Sequence, residues 1–175
     1  MLFRSELEPM GSHNPVRVVV TGLGAVSGLG IGAGVQLDKA LKGQSGIAPL
    51  PAELASKVAT RVGAQVLNFP LDRLDRNDLS MFDRIAHMSW AAANEALAAA
   101  KILPTEVIIP ERAGIFWGVG LGGPATIERG YRDIFLDGKD RVRPFSVIGI
   151  MTNGSAALLS IKSGFKGPSL TYSTA

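Results

Sequence analysis

Residues 16–21 (VRVVVT) form an unbroken, mostly β-branched run. That pattern predicts a strand buried on both faces, as in an α/β sheet. Gly22, Leu23 and Gly24 end it, and a second cluster, Gly28, Gly30 and Gly32, leads into a short helix. Val35, Leu37 and Leu41 mark that helix's apolar side, and Gly43 fits its C-terminal cap. Residues 46–54 read as a proline-punctuated loop, 58–66 (VATRVGAQV) as a second strand, and 68–78 as polar and irregular. A long helix is predicted over 79–101, closed off by Pro104. Within it, 89–100 (SWAAANEALAAA) holds only Asn94 and Glu95 as strongly polar residues. A helix apolar nearly all round belongs inside a protein, and its alanines let neighbouring backbones come close.

Residues 113–119 (AGIFWGV) predict a third strand, and 118–123 (GVGLGG) a glycine turn. Pro124 suits the first position of a helix reaching about Leu136. After a basic loop, 147–162 predict a further apolar helix, with Gly164 as a left-handed cap. A Gly167-Pro168 turn then feeds a last strand over 169–175. Strands alternating with helices argue for an α/β layered fold.

Composition sharpens this picture in one respect. Of 175 residues, 46% are hydrophobic and 19% charged, which leaves a small domain short of polar cover. The chain reads as a piece whose apolar faces are covered by further polypeptide or by a partner subunit. The net charge of +3 is too small to argue for nucleic acid. Lys139, Arg141 and Arg143 form the densest basic cluster, and Asp140 interrupts it. Without cysteines, disulfides, zinc thiolates and thiol nucleophiles within these residues are excluded. The early residues lack a signal-peptide core, and no stretch suits a membrane span, so a cytoplasmic protein without membrane contact is expected.

The chemistry-bearing residues are sparse. Residues 118–123 match G-x-G-x-x-G after a strand and before a helix, so their N–H groups could face a phosphate. Beyond Leu136, however, the chain continues as a charged loop and another helix, whereas a dinucleotide fold needs a strand ending in an acid. Close packing of turns explains the glycines better. His87 has no carboxylate or serine at helical spacing and reads as a packed or surface histidine. Ser173 and Thr174 have no local base.

Seven segments, in order, resemble the elongating beta-ketoacyl-acyl-carrier-protein synthases. They are VRVVVTGLGAVSGLG (16–30), LKGQSGI (41–47), FDR (82–84), GVGLGG (118–123), RPFSV (143–147), a helix carrying Asn153, and KGPSLTYSTA (166–175). The resemblance implies a thiolase-like layered α/β sandwich, of which residues 15–175 are an incomplete N-terminal portion and 1–14 an extension. It implies a homodimer that uses acyl carrier protein with acyl and malonyl thioesters, and it implies no cofactor or metal. In that family Ser-Thr-Ala precedes the catalytic cysteine, so the nucleophile is expected directly after Ala175 and two histidines later still. Neither His13 nor His87 matches those histidines. Leu121 matches a branched gate beside the nucleophile, and Ser146 a position, often aromatic, that faces the partner's acyl pocket. Arg141 is the candidate contact for an acidic carrier protein. Basic residues common before the FD pair are reduced here to Arg76, followed by Asn77, Asp78, Ser80 and Met81. Two other readings stay open: a non-catalytic chain-length partner of a ketosynthase, and an unrelated nucleotide-binding domain.

Overall fold

The computed structural model describes residues 17–71, 74–102 and 108–174. The extension at 1–14, Pro104 and Ala175 lie outside the described residues. Along the chain come β1 (Val26–Ser27), β2 (Gly30–Ile31), α1 (Ala33–Leu41), β3 (Ala48–Pro49), α2 (Ala52–Ala55) and β4 (Val62–Gly63). Next are α3 (Arg76–Met81), α4 (Arg84–Ala99), β5 (Ile115–Gly118), α5 (Pro124–Tyr131), α6 (Ser146–Ile150), α7 (Gly154–Ser163) and β6 (Ser169–Tyr172). No helix among the described residues is long and apolar enough to cross a membrane.

The organising element is α4. On one side Phe82, Ala86 and Leu158 of α7 form the core cluster, with Leu158 fully buried. On another, the chain before β1 lies directly on the helix backbone. A β carbon at Gly24 would stand 1.8 Å from the Ala92 carbonyl oxygen, and one at Gly22 2.0 Å from that of Ala96. This is the close approach that the alanine run predicts, and it requires glycine on the crossing chain. Glu95 then fastens the contact. Its carboxylate accepts from Ala25 N at 3.1 Å and from Ala33 N, at the start of α1, at 2.8 Å.

The second unit is the parallel pair β5 and β6, in register from Ile115 opposite Ser169 to Gly118 opposite Tyr172. The intervening helices make the crossover that a parallel pair requires, and α7 packs on both strands. Ile115, Trp117 and Thr171 take the covered face. Phe116, Leu170 and Tyr172 are exposed on the other.

Several elements differ from the sequence expectation. Residues 17–21 are not a buried strand: they have no ladder partner among the described residues, and Val18 is 91% exposed. Val35, Leu37 and Leu41 are likewise exposed, so the apolar side of α1 is uncovered. The strand expected over 58–66 shrinks to β4, paired antiparallel with β3. The helix expected over 79–101 is divided, because Phe82 adopts an extended conformation and Asp83 caps a new start for α4. The helix expected over 147–162 is divided at Met151, also extended, into α6 and α7. Pro124 does open α5, which continues as a π-type turn over Arg132–Leu136. Gly43 and Gly164 take positive φ at 66° and 72°.

Candidate active site

The C-terminal ends of β5 and β6 stand side by side, the position where open α/β sheets bind ligands. Val119 N donates to Tyr172 O at 2.9 Å, carrying the ladder one residue past the strands. Beyond it the chain opens into the turn of residues 118–123, while Ser173 and Thr174 leave β6 alongside. A β carbon at Gly118 or Gly120 would meet nothing within 4 Å. Leu121 at the crest of the turn is 58% exposed. This stretch is an open lip beside the end of β6.

Gly122 and Gly123 do a different job. A β carbon at Gly122 would sit 2.5 Å from Ile150 O, and one at Gly123 2.0 Å from Gly149 O. Gly123 also holds φ 48°, which glycine adopts without steric cost. Both therefore serve close packing against α6. The first turn of α5, where a phosphate would bind, already holds an anion. The Asp83 carboxylate accepts from Thr126 N at 2.6 Å and from Thr126 Oγ1 at 2.7 Å. Asp83 is 4% exposed, so the place is filled. The geometry thus favours packing over nucleotide binding for this glycine motif.

The FDR triplet is structural throughout. Phe82 enters the core, and Asp83 Oδ1 also accepts from Ile85 N at 3.2 Å, capping α4. Arg84 donates to Val66 O at 2.6 Å and lies over the Phe69 ring. His87 is buried, its Nε2 3.1 Å from Asp78 O. This agrees with the packed role expected for it.

Ser146 begins α6, and the backbone of Gly122 meets the other end of that helix. Leu121 and Ser146 thus flank a single short helix of five residues, about 7.5 Å long at 1.5 Å per residue. They do not share one wall. Ser146 faces a hollow with Phe82, Thr126, Arg129, Asp133 and Arg143. Arg141 is exposed at the tip of the basic loop and reaches only Asp140, at 3.8 Å, among the described residues. Lys139 anchors that loop through ion pairs to Asp133 and, at 3.4 Å, to Asp137. The Lys139 ammonium holds the Asp133 carboxyl below its usual range, and Asp133 in turn raises Lys139.

Two features outside the lip were missed by sequence patterning. One is the ionic knot of Lys162 with Asp78 at 2.5 Å and Asp75 at 2.9 Å, in which Asp78 is buried. The other is a cavity of about 440 Å³ bounded by Val35, Phe69, His87, Trp90, Asn94 and Glu95 among its lining residues. It takes no lining residue from β5, β6, α5 or α6, and so lies apart from the lip.

Comparison with known proteins identifies the arrangement. Residues 16–175 match the family model described as beta-ketoacyl synthase, N-terminal domain. The 3-oxoacyl-acyl-carrier-protein synthase 2 of Coxiella burnetii is 32% identical over 160 residues, covering 91% of this chain and 38% of that protein. The ishigamide ketosynthase/chain length factor superposes with a TM-score of 0.77 at 20% identity, over 89% of this chain and 39% of that one. A type II polyketide ketosynthase, solved with its acyl-carrier protein and bound to the hexaketide, superposes with a TM-score of 0.68 at 23% identity. That match covers 89% of this chain and 42% of the other. The chain therefore spans about two fifths of the length of these relatives. The fold is the thiolase-like one, and the glycine lip, the FDR caps and the parallel β5–β6 pair are its local features here. Since the family model spans nearly every residue from the first valine of the VRVVVT run onward, the chain belongs to the beta-ketoacyl synthase family.

Proposed function

We propose that these residues form the N-terminal part of a beta-ketoacyl-acyl-carrier-protein synthase that elongates an acyl chain by decarboxylative Claisen condensation. The observation that carries this reading is the open lip of residues 118–121 standing directly beside the end of β6. A nucleophile continuing from that strand would lie under the lip, with Leu121 as the gate to the acyl pocket.

The chemistry then runs in two stages. A cysteine thiolate directly after Ala175 attacks the acyl thioester, and the donor's thiolate leaves. Malonyl-carrier protein next loses carbon dioxide, and the resulting carbanion attacks the enzyme-bound acyl carbonyl. The tetrahedral oxyanion forms against backbone N–H groups. Collapse expels the cysteine thiolate and releases the 3-oxoacyl product on its carrier. The cysteine and both histidines come from polypeptide other than these 175 residues. Ser146 faces the acyl pocket of the partner subunit in a homodimer, and a hydroxymethyl there leaves more room than an aromatic ring. Arg141, exposed on a loop held at Lys139, meets an acidic carrier protein. A cytoplasmic location goes with the same reading.

The test is a condensation assay on the complete polypeptide, with acyl and malonyl thioesters of acyl carrier protein. A product longer by two carbons, with release of carbon dioxide, is expected. No product, together with glutamine in place of the expected cysteine, would instead make the protein a non-catalytic chain-length partner.

A further inference from the structure

Asp83 is a buried carboxylate that meets three donors at once: Ile85 N through Oδ1, and Thr126 N and Oγ1 through Oδ2. It joins the start of α4 to the first turn of α5. Burying a carboxylate is costly unless its lone pairs are met, and here donors from two separate helices meet them. The contact does not end at Thr126. A β carbon at Gly149, in α6, would lie 3.0 Å from Thr126 Oγ1 and 3.1 Å from its Cγ2. Gly149 O in turn abuts Gly123, and Ile150 O abuts Gly122. From Asp83 through Thr126 and α6 to the residue after Leu121, each group touches the next. Interiors packed this tightly transmit displacement instead of absorbing it.

Both ends of α6 matter to the acyl pocket in the function proposed above, on which this inference rests. Leu121 lies beside one end and Ser146 begins the other. A shift of α6 relative to α5 would carry Ser146 with it and press, through Gly149 and Ile150, on the turn that bears Leu121. We propose that Asp83, acting through Thr126, is a positioning residue for acyl-chain-length selection: it holds α6 at the height that sets Leu121 and Ser146. Asp83 touches no substrate. Only a carboxylate satisfies the arrangement, because an asparagine has one acceptor oxygen and turns an N–H group toward one of the donors.

The test compares complete synthases carrying Asp83→Asn, Thr126→Val and Thr126→Ser. The readout is the ratio of kcat/KM for a long acyl primer to that for a short one, with thermal unfolding measured alongside. Asp83→Asn is expected to change the ratio by about tenfold, the size of a misfit of roughly one methylene in an apolar pocket. Thr126→Val, which keeps the backbone N–H, shifts it in the same direction by less, and Thr126→Ser restores the parent value. A cap with no role in selection would lower the unfolding temperature and leave the ratio unchanged, and that result overturns the proposal. Should Asp83→Asn fail to fold, the valine and serine variants decide alone. Absence of condensation in the parent would instead overturn the functional reading, and the role with it.

Discussion

A β carbon at Gly123 would stand 2.0 Å from the carbonyl oxygen of Gly149. No rotation of a side chain relieves that contact, since both partners are backbone. The end of the glycine turn, at Gly122 and Gly123, and the helix α6 are therefore fitted to each other at van der Waals limits.

Gly123→Ala is accordingly expected to destabilise the complete protein by about 3 kcal/mol or more, combining a left-handed conformation with a backbone clash. Gly120→Ala, two residues before the fitted glycines, meets open space and should cost less than about 1 kcal/mol. Urea unfolding of the two variants checks the contrast. Equal midpoints would mean that the packing is not as described.

Glu95 is a second point where one side chain joins separate elements. Its two oxygens take different backbone donors, at Ala25 and Ala33. Glu95→Gln leaves one donor facing an amide N–H and is expected to cost about 1–3 kcal/mol. Hydrogen exchange should quicken at Ala25 and Ala33 while α7 stays protected. Uniform loss of protection, or none, would contradict the assignment.

The Lys162 knot has a definite pH signature. Asp75 is held below 3.8, first by the Asp78 backbone N–H and then by Lys162. Lys162 is raised above 10.5, first by Asp78 and then by Asp75. A lowered carboxyl contributes stability above its unfolded pKa and loses it as pH falls through the folded value. A raised amine contributes below its unfolded pKa and loses it as pH rises through the folded value. The penalty of Lys162→Met in urea unfolding should hence be flat between those limits and shrink below 3.8 and above 10.5. A change centred near neutral pH would contradict this account of the knot.

The 175-residue polypeptide on its own exposes Val18, Phe116, Leu170 and Tyr172. It should bind a hydrophobic dye strongly, stay inactive in condensation and take up no acyl group on sulfur, having none in a thiol. A dye-silent monomer with a sharp cooperative melt would count against the reading of these faces as interfaces.

Local chemistry made much of this legible. The β-rich run 113–119, Pro124, Gly164 and the strand from Ser169 each carry their own signal, and each stands where the pattern placed it. The close approach of a chain to the alanine run also followed from side-chain size. What failed was whatever depends on distant residues. The VRVVVT run has strand propensity, yet no described strand pairs with residues 17–21. Asp83 could have been read as a cap before an apolar run, but its bond to Thr126 spans 43 positions and leaves no local trace. The break at Met151 follows from the fit of Gly149 and Ile150 to the glycine turn, which periodicity does not encode. For the site, the glycine motif was visible. The division of labour within it, with Gly118 and Gly120 open and Gly122 and Gly123 packed, is set by Gly149 and Ile150, more than 25 positions away.

The lip at Leu121 is proposed to cover a thiolate supplied directly beyond Ala175, and every functional step above depends on that sulfur. The most direct measurement is to incubate the complete polypeptide with a radiolabelled acyl thioester, digest it, and locate the label by peptide mass spectrometry. One thioester adduct is predicted, on a cysteine immediately after the Ser173-Thr174-Ala175 tripeptide. An adduct mapped to any other position, or a labelled product formed without an adduct there, would contradict it.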